Sequence, residues 1–482
     1  MFAKEIYRAR RQRLIERMRE CDCGGGVAGV AGGGGVAGVA VIPANEYSPN
    51  SYLSNSYYFR QDGSFRYFFG LDRPSLWGLI DLDSGAEVLF GEDSSLDDLI
   101  WMGRQPLVAE SAESVGVNRS GNLSQLRSYI ADTERLGRTI HILPPYRGET
   151  KIALSSLFDC SISALDSYIS PALFFAVAEL REVKGAEEIE ALEEAYHIGY
   201  ELHTAAMQMC REGVIEREIG GRLEGIARSM GAGVSFPPIC TQHGETLHNI
   251  EREGVLQSGR LFLCDAGGES LEGYCSDHTR TYPVSGKFTD TQRDIYNTVL
   301  AAYENTKRIA RSGMLYNELQ EATYRTLAEG LKGVGLLRGS IDEIIETGAV
   351  SLFMPHGVSH GLGLDVHDCE AMGERSFDME RYGEFAERST SCIIRSRWRF
   401  SEGTVMSNEP AIYFIPALIE KSRAEGLYRG VVDYDRAERY FDFGGIRIED
   451  DIIITEGGCR QIGSKPIPVT VTELEDYISL WR

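Results

Sequence analysis

The sequence predicts an α+β protein of two domains. Three observations predict it: a length of 482 residues, aromatic and aliphatic runs punctuated by turn residues in the first third, and strand signals alternating with amphipathic helices from about residue 187 onward. One hydrophobic core rarely serves so long a chain. We read an N-terminal α/β domain over 1–172 and a larger α+β domain, of a size suited to catalysis, over 173–482. Apolar residues at 43% and charged residues at 25% exclude a disordered, collagen-like or coiled-coil chain. Lys and Arg total 49 against 72 Asp and Glu, a formal charge of -23 that repels phosphate backbones and anionic lipid, so nucleic acid and membrane are not expected partners.

The first twenty-two residues, MFAKEIYRARRQRLIERMRECD, are charged where a secretory signal needs an apolar run. The 10 cysteines show no C-x-x-C pair, as expected of buried thiols in a reducing compartment, and we expect a cytoplasmic protein. From Gly24 to Ile42, nine of nineteen residues are glycine, too little hydrophobicity for a membrane span. GGGVAGVA occurs there twice, so the GxGxxG matches follow from a tandem repeat. We read the stretch as an expanded loop rather than a dinucleotide site.

Residues 57–90 alternate aromatic and aliphatic runs with turns such as Asp83-Ser84-Gly85, as strands do. A helix follows the boundary: Ile189, Leu192, Tyr196, Gly199, Leu202, Ala206 and Met209 share one face, and Glu187, Glu188, Glu190, Glu193 and Glu194 form a solvated one. His197 and His203 on this helix are expected in surface or packing roles. Two more helices are predicted over about 290–312 and 316–333, with strands at 260–266, 273–284, 404–414 and 444–455.

Chemistry concentrates in four segments. RLFLCDAGGESLEGYCSDHTRTYPV reads as a hairpin in outline, with Asp265 near the end of one strand and Asp277 on the other. Buried strands seldom tolerate two facing carboxylates unless a cation lies between them. HGVSHGLGLDVHD then gathers His356, His360 and His367, three of the chain's 9 histidines, which favours metal ligation or proton transfer. NEPAIYF and FGGIRIEDDIII place Glu409 and Glu449 in apolar strands. Asp265, Asp277, His360, Glu409 and Glu449 together suit two divalent ions about 3.5–4 Å apart, with four carboxylates balancing two double charges. An oxygen-rich set favours Mn2+ first, with Zn2+ or Co2+ as alternatives. HExxH is absent, so a zincin mechanism does not fit.

In order and spacing, DAGGESLEGYCSDHTRTYPVSGKF, PHGVSHGLGLDVHD, NEPAIYF and GGIRIEDD resemble the pita-bread metallopeptidases, in the branch of aminopeptidase P and prolidase. FRQDGSFRYFFG resembles the N-terminal domain of the same proteins, related to creatinase and prolidase. The resemblance puts the five metal ligands on the residues selected above. It further implies that His248 and His367 sit beside the substrate and move protons and that His356 lines the pocket; we choose Glu409 as the group that handles the proton of the nucleophile. Arg447 would contact the site's rim or a substrate carboxylate, and Arg395 with Arg447 would hold the carboxylate of a dipeptide. Ala411 and His278 stand where the family has glycine and an aliphatic residue, and TQHGETLHN lacks the usual Gly-Ser-Gly-Glu-Asn run.

The activity implied is metal-assisted release of the N-terminal residue from peptides with proline second. Cleavage of Xaa-Pro dipeptides is the alternative, with a non-catalytic binding protein and a creatinase-like amidinohydrolase behind it. A homo-oligomer is implied as well.

Overall fold

The computed structural model describes residues 1–20, 36–52, 54–370 and 398–482. The chain divides into two compact units, one built on Met1–Arg181 and the other beginning at Glu182 and running to Arg482.

In the first unit, helix α1 (Lys4–Glu20) precedes β1 (Val39–Pro43), α2 (Gly63–Phe69), β2 (Trp77–Asp81), β3 (Glu87–Phe90), β4 (Ser120–Gly121), α3 (Leu123–Arg135) and β5 (Ile140–His141). The five strands form one sheet in the order β4-β3-β2-β1-β5. β1 to β3 are antiparallel, whereas β4 and β5 join parallel. Val39, Val41, Leu79, Val88, Leu126 and Ile130 are buried together, joining the sheet to α3. The turn expected at Asp83-Ser84-Gly85 joins β2 to β3, with Gly85 at φ 73°.

Two expectations change here. Val39 and Ala40, the end of the glycine repeat, are buried in β1 rather than in a loop, and 21–35 lie outside the described residues. The aromatic run Gly63–Phe69 is a helix, not a strand. Asp62 caps it, accepting from the Phe65 N–H at 2.9 Å, and Gly70 ends it at φ 63°. Because every one of its side chains is buried, no polar face marks the helical period.

The second unit opens with α4 (Ala186–Met209) and α5 (Glu216–Met230), followed by β6 (Ile239–Thr241), β7 (Leu261–Asp265) and β8 (Thr279–Pro283). A second helix pair, α6 (Asp290–Ile309) and α7 (Tyr316–Gly333), precedes β9 (Val405–Asn408), β10 (Ala411–Tyr413), β11 (Gly445–Arg447), β12 (Asp450–Thr455) and β13 (Gly458–Gln461). The two pairs turn alike. Gly213 and Gly313, at φ 86° and 81°, supply the left-handed residue in each connection. The strands pair as β8-β7-β6, β9-β12-β13 and β10-β11. Pro410 separates β9 from β10, and the long strands expected over 404–414 and 444–455 are each broken at a glutamate. Glu188 leaves the expected solvated face of α4: it is buried, accepting from the Gly185 N–H at 3.0 Å and from the Tyr274 hydroxyl at 2.8 Å. Among the described residues, no helix is long and apolar enough to cross a membrane.

Candidate metal centre

Strand alternation and strand ends bring the acids together. In β7, Phe262 and Cys264 turn to one side, and Asp265 closes the strand opposite Thr279 of β8. Asp277 lies just ahead of β8, and its N–H donates to Asp451 Oδ2 at 3.0 Å. Glu449 sits in the break between β11 and β12, where its main chain exchanges hydrogen bonds with Thr279. The Thr279 hydroxyl also donates to Glu449 Oε2 at 2.6 Å. On the other side, residues 358–362 run extended along β9. The Ser407 N–H donates to the His360 carbonyl, the Glu409 N–H to the Val358 carbonyl, and the His360 N–H to Ser407 Oγ at 3.0 Å.

His360 Nε2 lies 3.4 Å from Asp277 Oδ2 and 3.8 Å from Glu409 Oε1. Ligand atoms of Asp277, His360 and Glu449 all fall within 4.8 Å of one another. Arg447 is the cation beside them. Its Nη2 donates to Asp265 Oδ2, its Nε to Thr279 Oγ1 at 2.9 Å and its Nη1 to the Tyr413 hydroxyl at 2.6 Å, while Nε stands 3.6 Å from Glu449 Oε2. It is 5% exposed, so these donors point inward to the acids rather than to an open rim.

Burial, then the negative charges of Glu449 and Asp265, push the Asp277 carboxyl well above the usual range. Burial, Glu409 and Asp265 do the same to Glu449. One oxygen each of Asp265 and Asp277 is buried without a hydrogen-bond partner. Buried acids that repel one another and keep unsatisfied lone pairs fit divalent cations, whose charge removes both costs.

His356 and His367 join this cluster. His356 Nε2 is 2.9 Å from the Tyr413 hydroxyl and Nδ1 3.6 Å from Glu409 Oε2. The His367 ring stacks on His360, centroids 3.9 Å apart. Next to it, Asp368 pairs with Lys184 Nζ at 3.0 Å with both side chains buried, which pins this segment. His248 is exposed on the connection between β6 and β7, and Arg395 lies outside the described residues. Ala411 is buried and paired with Arg447 in an unbroken β10–β11 ladder. His203 is buried with Nε2 at 3.1 Å from the Ala266 carbonyl, and His197 is exposed.

Sequence reasoning missed Thr279, Tyr413, Ser407 and Asp451. Thr279 had a signal, since it lies two residues beyond Asp277 in a run that reads as a strand, where such residues point the same way. The others are recognised only once distant segments meet.

The sequence matches the metallopeptidase family M24 over residues 190–456 and the aminopeptidase P N-terminal domain over residues 7–141. The chain belongs to metallopeptidase family M24. It is 32% identical to the Xaa-Pro aminopeptidase of Escherichia coli, over 95% of this chain and 94% of that protein. It is 28% identical to the Xaa-Pro dipeptidase of Rattus norvegicus, over 98% and 92%. Among solved structures it resembles E. coli aminopeptidase P with the inhibitor Pro-Leu, with a TM-score of 0.77 at 29% identity, covering 100% of this chain and 99% of that one. The zinc-substituted E. coli enzyme in complex with product matches with the same TM-score at 28% identity. The pita-bread expectation for this two-part α+β chain therefore holds.

Proposed function

We infer that this chain is an Xaa-Pro aminopeptidase, a metallo-exopeptidase that releases the N-terminal residue from peptides with proline in second position. The observation that carries the reading is the meeting of Asp277, His360 and Glu449 within ligand distance of one another, in a chain similar from end to end to an Xaa-Pro aminopeptidase. We assign the chemistry to the domain read over 173–482 and an accessory role to 1–172.

Asp265, Asp277, His360, Glu409 and Glu449 would hold two divalent ions, Mn2+ by the hardness of the donor set. When bound, such ions polarise the scissile carbonyl and make a water acidic. Glu409 takes the proton of the attacking water on a carboxylate oxygen; its Oε1 and Oε2 already face His360 and His356 at 3.8 and 3.6 Å. His356, held by Tyr413, and His367, held on His360, are placed to steady negative charge on the carbonyl oxygen and to protonate the prolyl nitrogen as it leaves. His248 is assigned to the same task from its exposed loop. Arg447 holds the Asp265 carboxylate in orientation through its Nη2.

The free thiols of the seven described cysteines support a reducing, cytoplasmic setting. We propose a homo-oligomer, which light scattering tests.

Dipeptide cleavage is the rival, favoured by the 28% identity to Xaa-Pro dipeptidases. Comparing kcat/KM on an Xaa-Pro dipeptide and on Xaa-Pro-Yaa with Mn2+ decides between them. An aminopeptidase turns over the tripeptide at least as well. A strong preference for the dipeptide, lost in Arg395→Ala, would assign the chain to the dipeptidases, and no turnover of either would end the reading.

A further inference from the structure

His278 follows the ligand Asp277, yet its side chain turns to the opposite face of the chain and is fully buried. There the ring meets two separate segments, residues 450–451 and helix α4. Its Nδ1 lies 3.4 Å from Asp450 Oδ1 and its Nε2 3.7 Å from Asp451 Oδ2. Tyr196 of α4 meets it edge-on at 4.9 Å, and His203 lies 6.0 Å away at 80°. Gly199 of the same helix leaves the space: a Cβ there would stand 2.7 Å from His278 Nε2. A helix interior gives up stability to carry glycine, and here the glycine makes room for an imidazole.

The two carboxylates that the ring faces directly follow the ligand Glu449 in sequence. Asp451 Oδ2, the oxygen opposite Nε2, also accepts the N–H of Asp277 at 3.0 Å. Asp450 is held from its far side by Arg280 Nη2 at 2.8 Å and the Tyr303 hydroxyl at 2.5 Å, and Arg280 Nη1 also reaches the Glu449 carbonyl at 2.7 Å. The ring, carried by the segment of Asp277, is therefore wedged between α4 and the segment carrying Glu449. Groups that orient metal ligands from behind are commonly worth tenfold or more in metal affinity.

We propose that His278 is a positioning residue of the metal centre: wedged between Asp450 and Asp451, it fixes the carboxylate that holds the Asp277 main chain, and so sets the separation of the ligands Asp277 and Glu449. The proposal rests on the reading that these two acids hold divalent ions.

The alternative is a ring that only fills space, and two substitutions separate the two roles. His278→Leu keeps volume and loses both nitrogens, whereas His278→Asn keeps polar atoms and loses volume. Each variant is stripped with chelator, checked by circular dichroism and titrated calorimetrically with Mn2+, and kcat and KM are measured on Xaa-Pro-Yaa. Positioning predicts that His278→Leu binds at least one Mn2+ about tenfold more weakly and loses about 10–100-fold in kcat, with KM within about threefold, while His278→Asn stays within about threefold of the parent. A space-filling role predicts the reverse order and would overturn the proposal, as would unchanged Mn2+ affinity and kcat in His278→Leu. If His278→Leu does not fold, Gly199→Ala retains the imidazole and displaces it; weaker Mn2+ binding there supports the proposal, and parental affinity overturns it. The unmodified chain separates this inference from the reading beneath it. If that chain takes up no Mn2+, both fall; if it binds Mn2+ and hydrolyses proline peptides while His278→Leu matches it, only the inference falls.

Discussion

Asp81 and Asp277 are equally hidden, at 4% and 5% exposed, and they respond to burial in opposite ways. Asp81, at the end of β2, receives the Tyr129 hydroxyl at 2.6 Å, Arg138 Nη2 at 2.8 Å and the N–H groups of Asp83 and Ser84 at 3.1 and 2.9 Å. Against the cost of burial, these donors hold its carboxyl down to about 2. Asp277 faces other acids, keeps one oxygen without a partner and is pushed up. Burial alone therefore does not mark a functional acid. The distinguishing feature is whether the protein supplies the donors itself or leaves them to something it binds.

The comparison breaks most sharply at the ligands. Asp277→Asn is expected to lower kcat/KM on Xaa-Pro-Yaa by about 10³-fold, since it would remove one of the anions proposed to hold the cations. In chelator the same variant should melt higher than its parent, because a buried like charge has gone. A lower melting temperature under chelator would mean that the carboxylate is already satisfied, as that of Asp81 is. A smaller effect is expected one step back. Arg447→Met leaves Asp265 without its arginine donor and both Asp265 and Glu449 without their nearest cation, and should weaken Mn2+ binding about 10–100-fold, read by calorimetry. Unchanged affinity would leave Arg447 a role in packing alone.

Much of this contrast was legible in the sequence. Acids inside the apolar strands around Asp265, Asp277, Glu409 and Glu449 stand out because such positions rarely carry charge, and the crowding of His356, His360 and His367 is visible in one line of text. The strand breaks were harder. Apolar runs on both sides of Glu409-Pro410 read as one strand, although proline removes a ladder donor there. The helix at Gly63–Phe69 was hidden by its complete burial. What the sequence withholds altogether is convergence. The inward aim of Arg447 depends on Tyr413, Thr279 and Asp265 arriving from separate strands. Alternation turns His278 away from the carboxylate cluster, but its cradle of Gly199, Asp450 and Asp451 is assembled from positions roughly 80 residues before it and 170 after it in the chain.

The smallest effect tests the other half of the comparison. If Asp81 is purely structural, Asp81→Asn should cost about 1–3 kcal/mol in unfolding free energy near neutral pH, through weakened charge-assisted hydrogen bonds to Arg138 and Tyr129. It should leave kcat/KM within about twofold. The pH dependence carries a definite sign. The folded carboxyl titrates at about 2 against an ordinary 3.8, so its contribution is complete above the ordinary value and is lost as pH falls through the folded one. The carboxamide does not titrate. The difference between parent and variant in urea unfolding should therefore be flat from pH 7 to about 5 and shrink as the pH approaches 2. A difference that grows on acidification, or a variant that folds normally and loses turnover, would show that the Asp81 carboxylate does more than hold β2 to its neighbours.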